Sequence, residues 1–208
     1  MYYKFLLLVV LCTTFFCPFL SGQELMTSSN FVYKLNEDVT LTSLIRTRTN
    51  IGDNYPIKKT DNELRIGEIL NYSPIEKELD FSFGHYINKI DRNIYSQRTL
   101  ASITMYPIKL DKLSSIYRIQ YDYNHSYSNN KKPNDRFRFL FGWMVEFDEK
   151  NKLTTSYEYL TTTESRYVLN FCKKISDKTA LLSSLEVRKY PGFNGNPIII
   201  IGFKHKLN

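Results

Sequence analysis

The stretch from 114 to 128, "SSIYRIQYDYNHSYS", puts Tyr117, Ile119, Tyr121, Tyr123, His125 and Tyr127 on one parity and Arg118, Gln120, Asp122 and Asn124 on the other. Successive side chains of a strand leave opposite faces, so this period of two predicts a strand whose two faces meet different surroundings. A soluble half-buried sheet has that property, and so does one stave of a membrane barrel.

The pattern recurs along most of the chain. "DVTLTSLIRTRTN" keeps Val39, Leu41 and Ile45 in step, "ELRIGEILNY" keeps Leu64, Ile66, Leu70 and Tyr72, and "ELDFSFGHYI" keeps Leu79, Phe81, Phe83, His85 and Ile87. "RTLASITMYPI" is weaker and carries Pro107. The strongest segment, "DRFRFLFGWMVEFDE", sets Phe137, Phe139, Phe141, Trp143, Val145 and Phe147 against Arg136, Arg138, Leu140, Gly142, Met144 and Glu146. "KLTTSYEYLTT", "RYVLNFCKKI", "TALLSSLEVRK" and "PIIIIGFKHKL" complete ten segments, or eight if the weak fourth and one neighbour drop out. Tight turns at "SPIE", "LDKLS", "DEKN" and "SDK" alternate with longer connections at "IGDNYPIKKTDN", "NKIDRNIYSQ", "NNKKPND" and "YPGFNGN", and the short "TTTES" falls in phase with the long ones. Short turns at one end and loops at the other is the layout of an all-β, antiparallel up-and-down transmembrane barrel. An even count puts both ends of the chain on the short-turn side.

The aromatic count chooses between lipid and a soluble core. A small barrel has an interior only wide enough to be filled by side chains. Tyr117, Tyr121, Tyr123, Phe137, Phe139, Phe141, Trp143 and Phe147 would overfill it from two strands alone. Turned outward into lipid they need no complementary packing. The polar parity then lines the lumen, where Arg118, Asp122, Arg138, Glu146, Glu158, Glu186 and Arg188 can neutralise one another. A soluble secreted barrel that binds a small ligand is the alternative.

Residues 1–22 read as a cleaved signal peptide and 23–208 as the barrel domain. Lys4 is followed by the apolar run "FLLLVVLCTTFFCPFL" and by small Ser21 and Gly22, which predicts cleavage before Gln23. The run is short for a spanning helix, which needs ~20 apolar residues. Cys12 and Cys17 leave with the signal, so Cys172 stands alone and no internal disulfide can form. Loss of Lys4 leaves 27 of the 28 Lys+Arg against 21 Asp+Glu. That surplus suits a solvated surface or acidic lipid headgroups. No basic-aromatic motif points to nucleic acid.

A signal ending just before Gln, a body rich in lysine, asparagine and tyrosine, and the closing "IIIIGFKHKLN" resemble the small outer-membrane β-barrel proteins of Bacteroidota-type bacteria. The resemblance implies the bacterial outer membrane as location. It implies membrane lipid and lipopolysaccharide as contacts, and the barrel-assembly machinery as a partner. Such families often end on an aromatic residue, whereas this chain ends in Asn208 with Phe203 the last aromatic.

"NHSYSNN" is the one candidate for an active site. Outer-membrane lipid A deacylases carry His-x-Ser-Asn, with a His-activated Ser attacking an ester. Here Ser128 and Asn129 come one residue late after His125, so His125 and Ser128 leave opposite faces of a regular strand. His85, His125 and His205 lack the spacing of a metal site, and no cofactor motif occurs. The sequence therefore predicts a structural, surface-interacting or narrow-pore barrel, with a lipid-modifying enzyme as a further alternative.

Overall fold

The computed structural model describes residues 24–50, 63–75, 78–90, 93–126, 134–162, 164–191 and 193–207. The expected signal peptide, Tyr127, Ser128, all of "IGDNYPIKKTDN" and most of "NNKKPND" lie outside them. The described chain is a closed all-β barrel. Its strands are β1 (Glu24–Lys34), β2 (Val39–Asn50), β3 (Glu63–Ile75), β4 (Leu79–Ile90), β5 (Asn93–Met105), the two-residue β6 (Lys109–Leu110), β7 (Leu113–Ser126), β8 (Asn134–Glu146), β9 (Asn151–Leu160), β10 (Ser165–Lys174), β11 (Thr179–Tyr190) and β12 (Phe193–Lys206).

Neighbours in sequence pair antiparallel around the wall. β5 pairs with β7 from Ser96↔Ser126 to Met105↔Tyr117, and β6 resumes the same edge at Lys109↔Ser114. Four residues against three separate those registers, so β5 and β6 form one stave broken at Pro107, which cannot donate to a ladder. Ile108 covers the break: its N–H donates to Ser115 Oγ at 3.1 Å, and its carbonyl accepts from Ser115 N–H at 2.9 Å.

Counting β5 and β6 as one, the described residues form eleven staves. Ten match the sequence-derived segments, and the eight-stave alternative falls away. The additional stave is β1. It closes the barrel by pairing parallel with β12, from Glu24↔Ile198 to Val32↔Lys206. An odd count forces a parallel seam, and this corrects the expectation for the two ends of the barrel. β12 finishes on the tight-turn side, but β1 starts on the loop side, opposite Asn50 of β2. Two connections also prove shorter than expected. β4 runs to Ile90 before β5 starts at Asn93, and β11 runs to Tyr190 before β12 starts at Phe193. Register shifts at Asn88/Lys89 and Val187/Lys189 absorb the extra residues, as β-bulges do.

Three tight turns share one chemistry. Asn36 Oδ1 accepts from the N–H groups of Asp38 and Val39. Asp148 Oδ1 accepts from those of Lys150 and Asn151, and Ser176 Oγ accepts from Thr179 N–H. A short polar side chain that bonds the backbone two or three residues on reverses the chain without Gly or Pro. Asp148 is held below the ordinary carboxylate range, first by the Asn151 side chain and then by the Lys150 N–H.

Inside the wall, Leu44, Tyr86 and Leu100 pack with Ile69 across β2–β5. Tyr86 lies over Gly67, its partner on β3. A Cβ on Gly67 would run into Tyr86 Cδ1 and the His85 carbonyl, so only glycine lets the ring lie flat on the wall.

Candidate functional site: an arginine-lined vestibule

Alternation carries the strand arginines to the inner face, and the register gathers them in the loop half. The result is a cavity of about 290 Å³, lined by eight arginines and three glutamates along with Met26, Asn88 and Ser96. "LIRTRT" contributes Arg46 and Arg48 from β2, and "DRFRF" contributes Arg136 and Arg138 from β8. Arg65, Arg98, Arg166 and Arg188 come from β3, β5, β10 and β11.

Beneath the cavity the charges interlock. Asp122 is wholly buried and accepts from Gln120, Arg136 and Arg138, with Arg136 Nε at 2.8 Å. Glu158 meets Arg118 at 2.9 Å, Arg138 at 3.6 Å and Arg166 at 3.7 Å. Farther along the same wall, Arg166 of β10 meets Glu164 at 2.7 Å and Glu186 of β11 at 3.5 Å, while Arg188 meets Glu186 at 2.7 Å. Arg65 bonds Glu63 at 3.1 Å and Asn88 at 2.6 Å, with its guanidinium 5.9 Å from the centre of the Tyr86 ring. Leu160 and Ile198 are buried beside this network, at 0% and 1% exposure. These ion pairs run along the wall from β7 to β11, and the inner face beneath the cavity is closely packed, with Ser115, Asp122 and Glu158 almost wholly buried; the cavity is a vestibule above that plug.

The sequence-derived residues fall into place as follows. Arg118, Asp122, Arg138, Glu158, Glu186 and Arg188 belong to the inner-face network. Glu146 does not: it shares the inner parity but sits at the turn end, where it pairs with Lys152. Tyr121, Tyr123, Phe137, Phe139 and Phe141 stand exposed on the outer face, with Tyr117 and Trp143 half-buried among them. Rings pair along that face, Tyr117 with Phe141 at 5.1 Å and Tyr121 with Phe137 at 5.3 Å between centroids. Phe147 is exposed just past the end of β8. His125 lies on the outer face opposite Gln97 of β5, and the side chain of Ser128 lies outside the described residues.

Six vestibule arginines were not singled out by the sequence reading: Arg46, Arg48, Arg65, Arg98, Arg136 and Arg166. A signal for them existed. The chain has ten arginines and eighteen lysines. Nine of the ten arginines sit on the inner parity of predicted strands, and among the described residues no lysine lines the vestibule. The lysines instead crowd the turn end, at Lys34, Lys112, Lys150, Lys174, Lys178 and Lys206.

The outer face also carries one polar row. Ser43, Glu68, His85 and Thr99 are successive cross-strand neighbours on β2 to β5, and His85 Nδ1 lies 3.1 Å from Thr99 Oγ1. Among the described residues no group of three or more His, Cys, Asp or Glu is placed to hold a metal ion. No protein-family model matches the chain, and comparison with curated proteins returns no match.

Proposed function

We propose that this chain is a bacterial outer-membrane β-barrel protein, exported with cleavage of residues 1–22, that acts in recognition at the cell surface. The observation that carries the reading is the inverted polarity of the wall. Carboxylates and guanidinium groups fill the inside, while Phe137, Phe139, Phe141, Tyr157, Tyr167 and Phe203 stand exposed outside. Large apolar patches on a soluble monomer are rare, and this one girdles the barrel. In lipid the same surface is solvated, and the closed wall leaves no unpaired sheet edge.

Recognition is favoured over conduction because inner-face side chains beneath the cavity, Ser115, Gln120, Asp122 and Glu158 among them, are buried, which leaves little open lumen. The vestibule then serves as a blind pocket facing outward, if the tight turns face the periplasm as in other bacterial barrels. The odd stave count and parallel seam depart from the even closure of single-chain bacterial barrels. They bring the start of β1 to the vestibule rim.

Fractionation tests the location. The protein should pellet with outer membranes, and its gel mobility should shift on boiling; complete recovery in the soluble fraction would end the reading. With Cys172 replaced by Ser, a cysteine at Lys132, between β7 and β8, should react with an impermeant thiol label on whole cells. One at Lys150, in the turn after β8, should not, and the opposite labelling would invert the topology. In planar bilayers the wild-type protein should pass almost no current.

A further inference from the structure

We infer that the vestibule is a binding site for a phosphate-class oxyanion, read by guanidinium groups. The inference rests on the loop-end vestibule proposed above, but not on what the outer wall faces.

Charge balance is the starting point. If the lumen arginines only braced the wall, each would need a carboxylate, because a buried charge without a partner is strongly destabilising. The vestibule and the network directly beneath it hold nine arginines, counting Arg118, against Glu63, Asp122, Glu158, Glu164 and Glu186; the inner-face Asp80 lies nearer the turns, bonded by Ser73 and Tyr106. Four positive charges are left over. They are not spread evenly. Arg48, Arg65, Arg118, Arg136, Arg138, Arg166 and Arg188 each reach a carboxylate. Among the described residues Arg46 and Arg98 reach none. Arg98 Nε donates to the neutral amide oxygen of Asn124 at 2.6 Å, and three of its four strongest charge neighbours are Arg136, Arg65 and Arg138. Among the described residues the buried Arg46 Nε has no hydrogen-bond partner; Arg118 Nε has none either, but Arg118 reaches Glu158 through Nη2, whereas Arg46 reaches no carboxylate. A buried donor without an acceptor is rare in a folded protein and marks a place for a missing one.

The donor type narrows the ligand. Every cation among the described lining residues is an arginine, in a chain with nearly twice as many lysines. The guanidinium fork matches two oxygens of a phosphate or carboxylate, which an ammonium does not. A single carboxylate would offset one of the four surplus charges, whereas a phosphate dianion offsets two and offers three or more acceptor oxygens. The cavity, at about 290 Å³, has room for a phosphate with a small organic substituent. The source is either a soluble phosphate ester or the phosphate of a lipid headgroup that reaches over the rim.

Calorimetry on the full mature chain folded in detergent tests this, using inorganic phosphate against chloride at equal ionic strength. The expected result is saturable phosphate binding that chloride does not reproduce. Arg46→Gln and Arg98→Gln should each raise Kd by about tenfold, the worth of one charge-assisted hydrogen bond. Lys206→Gln, at the turn end, should leave it unchanged. Phosphate heats no different from those of chloride would overturn the assignment, and so would an unaltered Kd in the double glutamine variant. Should a glutamine variant fail to fold, Arg46→Lys and Arg98→Lys keep the charge and remove the fork; unchanged affinity there would equally overturn it. Displacement of bound phosphate by micellar phosphatidic acid would assign the site to a headgroup, and its failure to displace would assign it to soluble esters; either outcome upholds an oxyanion. Calorimetry reads the lumen, whereas lipid quenching at the outer wall reads the membrane placement, so the two claims can fail separately.

Discussion

The inner and outer walls of the β7–β8 hairpin are made of alternate residues from the same two strands, yet they follow opposite packing rules. Inside, Asp122, Arg136, Arg138 and Gln120 meet at hydrogen-bond distances, and each side chain has its place set by another. Outside, Tyr121, Phe137 and Phe139 touch only along the surface and leave their far faces open. The inner wall is specified by charge pairing, so a change of one group strands its partners. The outer wall is specified only by polarity, so one aromatic can replace another but a charge cannot replace either.

Substitutions at the two walls should therefore fail in different ways, read as unfolding free energy in lipid vesicles. Asp122→Ala should be the most damaging. It leaves Arg136 and Arg138 without their shared acceptor at a fully buried position, and breaking a buried pair costs about 3–5 kcal/mol. Phe139→Arg follows, at ~2–4 kcal/mol for a cation near the bilayer midplane. Phe139→Leu should cost far less, whereas a shaped protein core would penalise it by an amount comparable to other large-to-small changes. Gly67→Ala should cost about 1–3 kcal/mol, the usual range for overpacking, because both the Tyr86 ring and the backbone at His85 must give way. Glu68→Leu runs the other way. It removes a carboxylate from the polar row of the outer face and should stabilise the protein in lipid, by less than the ~2–4 kcal/mol quoted for cations. Destabilisation by Glu68→Leu would mean that the row meets a polar partner.

The smallest effect lies outside both walls, in the turn at Asp148. Its carboxyl is held low in the folded protein by Asn151 and the Lys150 N–H. A depressed carboxyl adds stability above the unfolded range, and that stability is lost as pH falls through the folded value. The advantage of wild type over Asp148→Ala should be present at neutral pH and fade on acidification below pH ~4. An advantage that is flat with pH would assign the turn to backbone geometry alone.

Most of the wall could be read in the sequence because period two survives wherever each face has a single solvent. Phe137 to Phe147 show this most clearly, and their strand was placed within a few residues. β1 escaped notice for a physical reason. In "ELMTSSNFVYK" the outward Leu25, Phe31 and Tyr33 are interrupted by Thr27 and Ser29, while the inward set holds Met26 and Val32. Neither face is uniform, and the ladders that pair β1 with β12 and β2 are backbone bonds that leave no trace in side-chain type; the Thr27–Thr47 bond and the Phe31–His205 stack that join them show only in the folded register. Missing β1 turned an odd barrel into an even one and moved one end of the barrel to the wrong side. The ion-pair network was partly legible: Arg118, Asp122, Arg138, Glu158, Glu186 and Arg188 could be named from parity, but parity does not give height. Glu146 shares that parity and lies at the far end of the barrel. Height along the axis comes from strand register and tilt, and only the folded register brought Arg46, Arg65 and Arg98 to one level above the plug.

The central claim is that the aromatic wall faces hydrocarbon while the wall one residue away does not. Depth-sensitive quenching by brominated lipid of a fluorophore placed at position 139, and separately at 138, tests it directly. Strong quenching at 139 with weak quenching at 138 is the expected result. Equal quenching at both positions, or none at either, would contradict it and make the alternation the mark of a protein core.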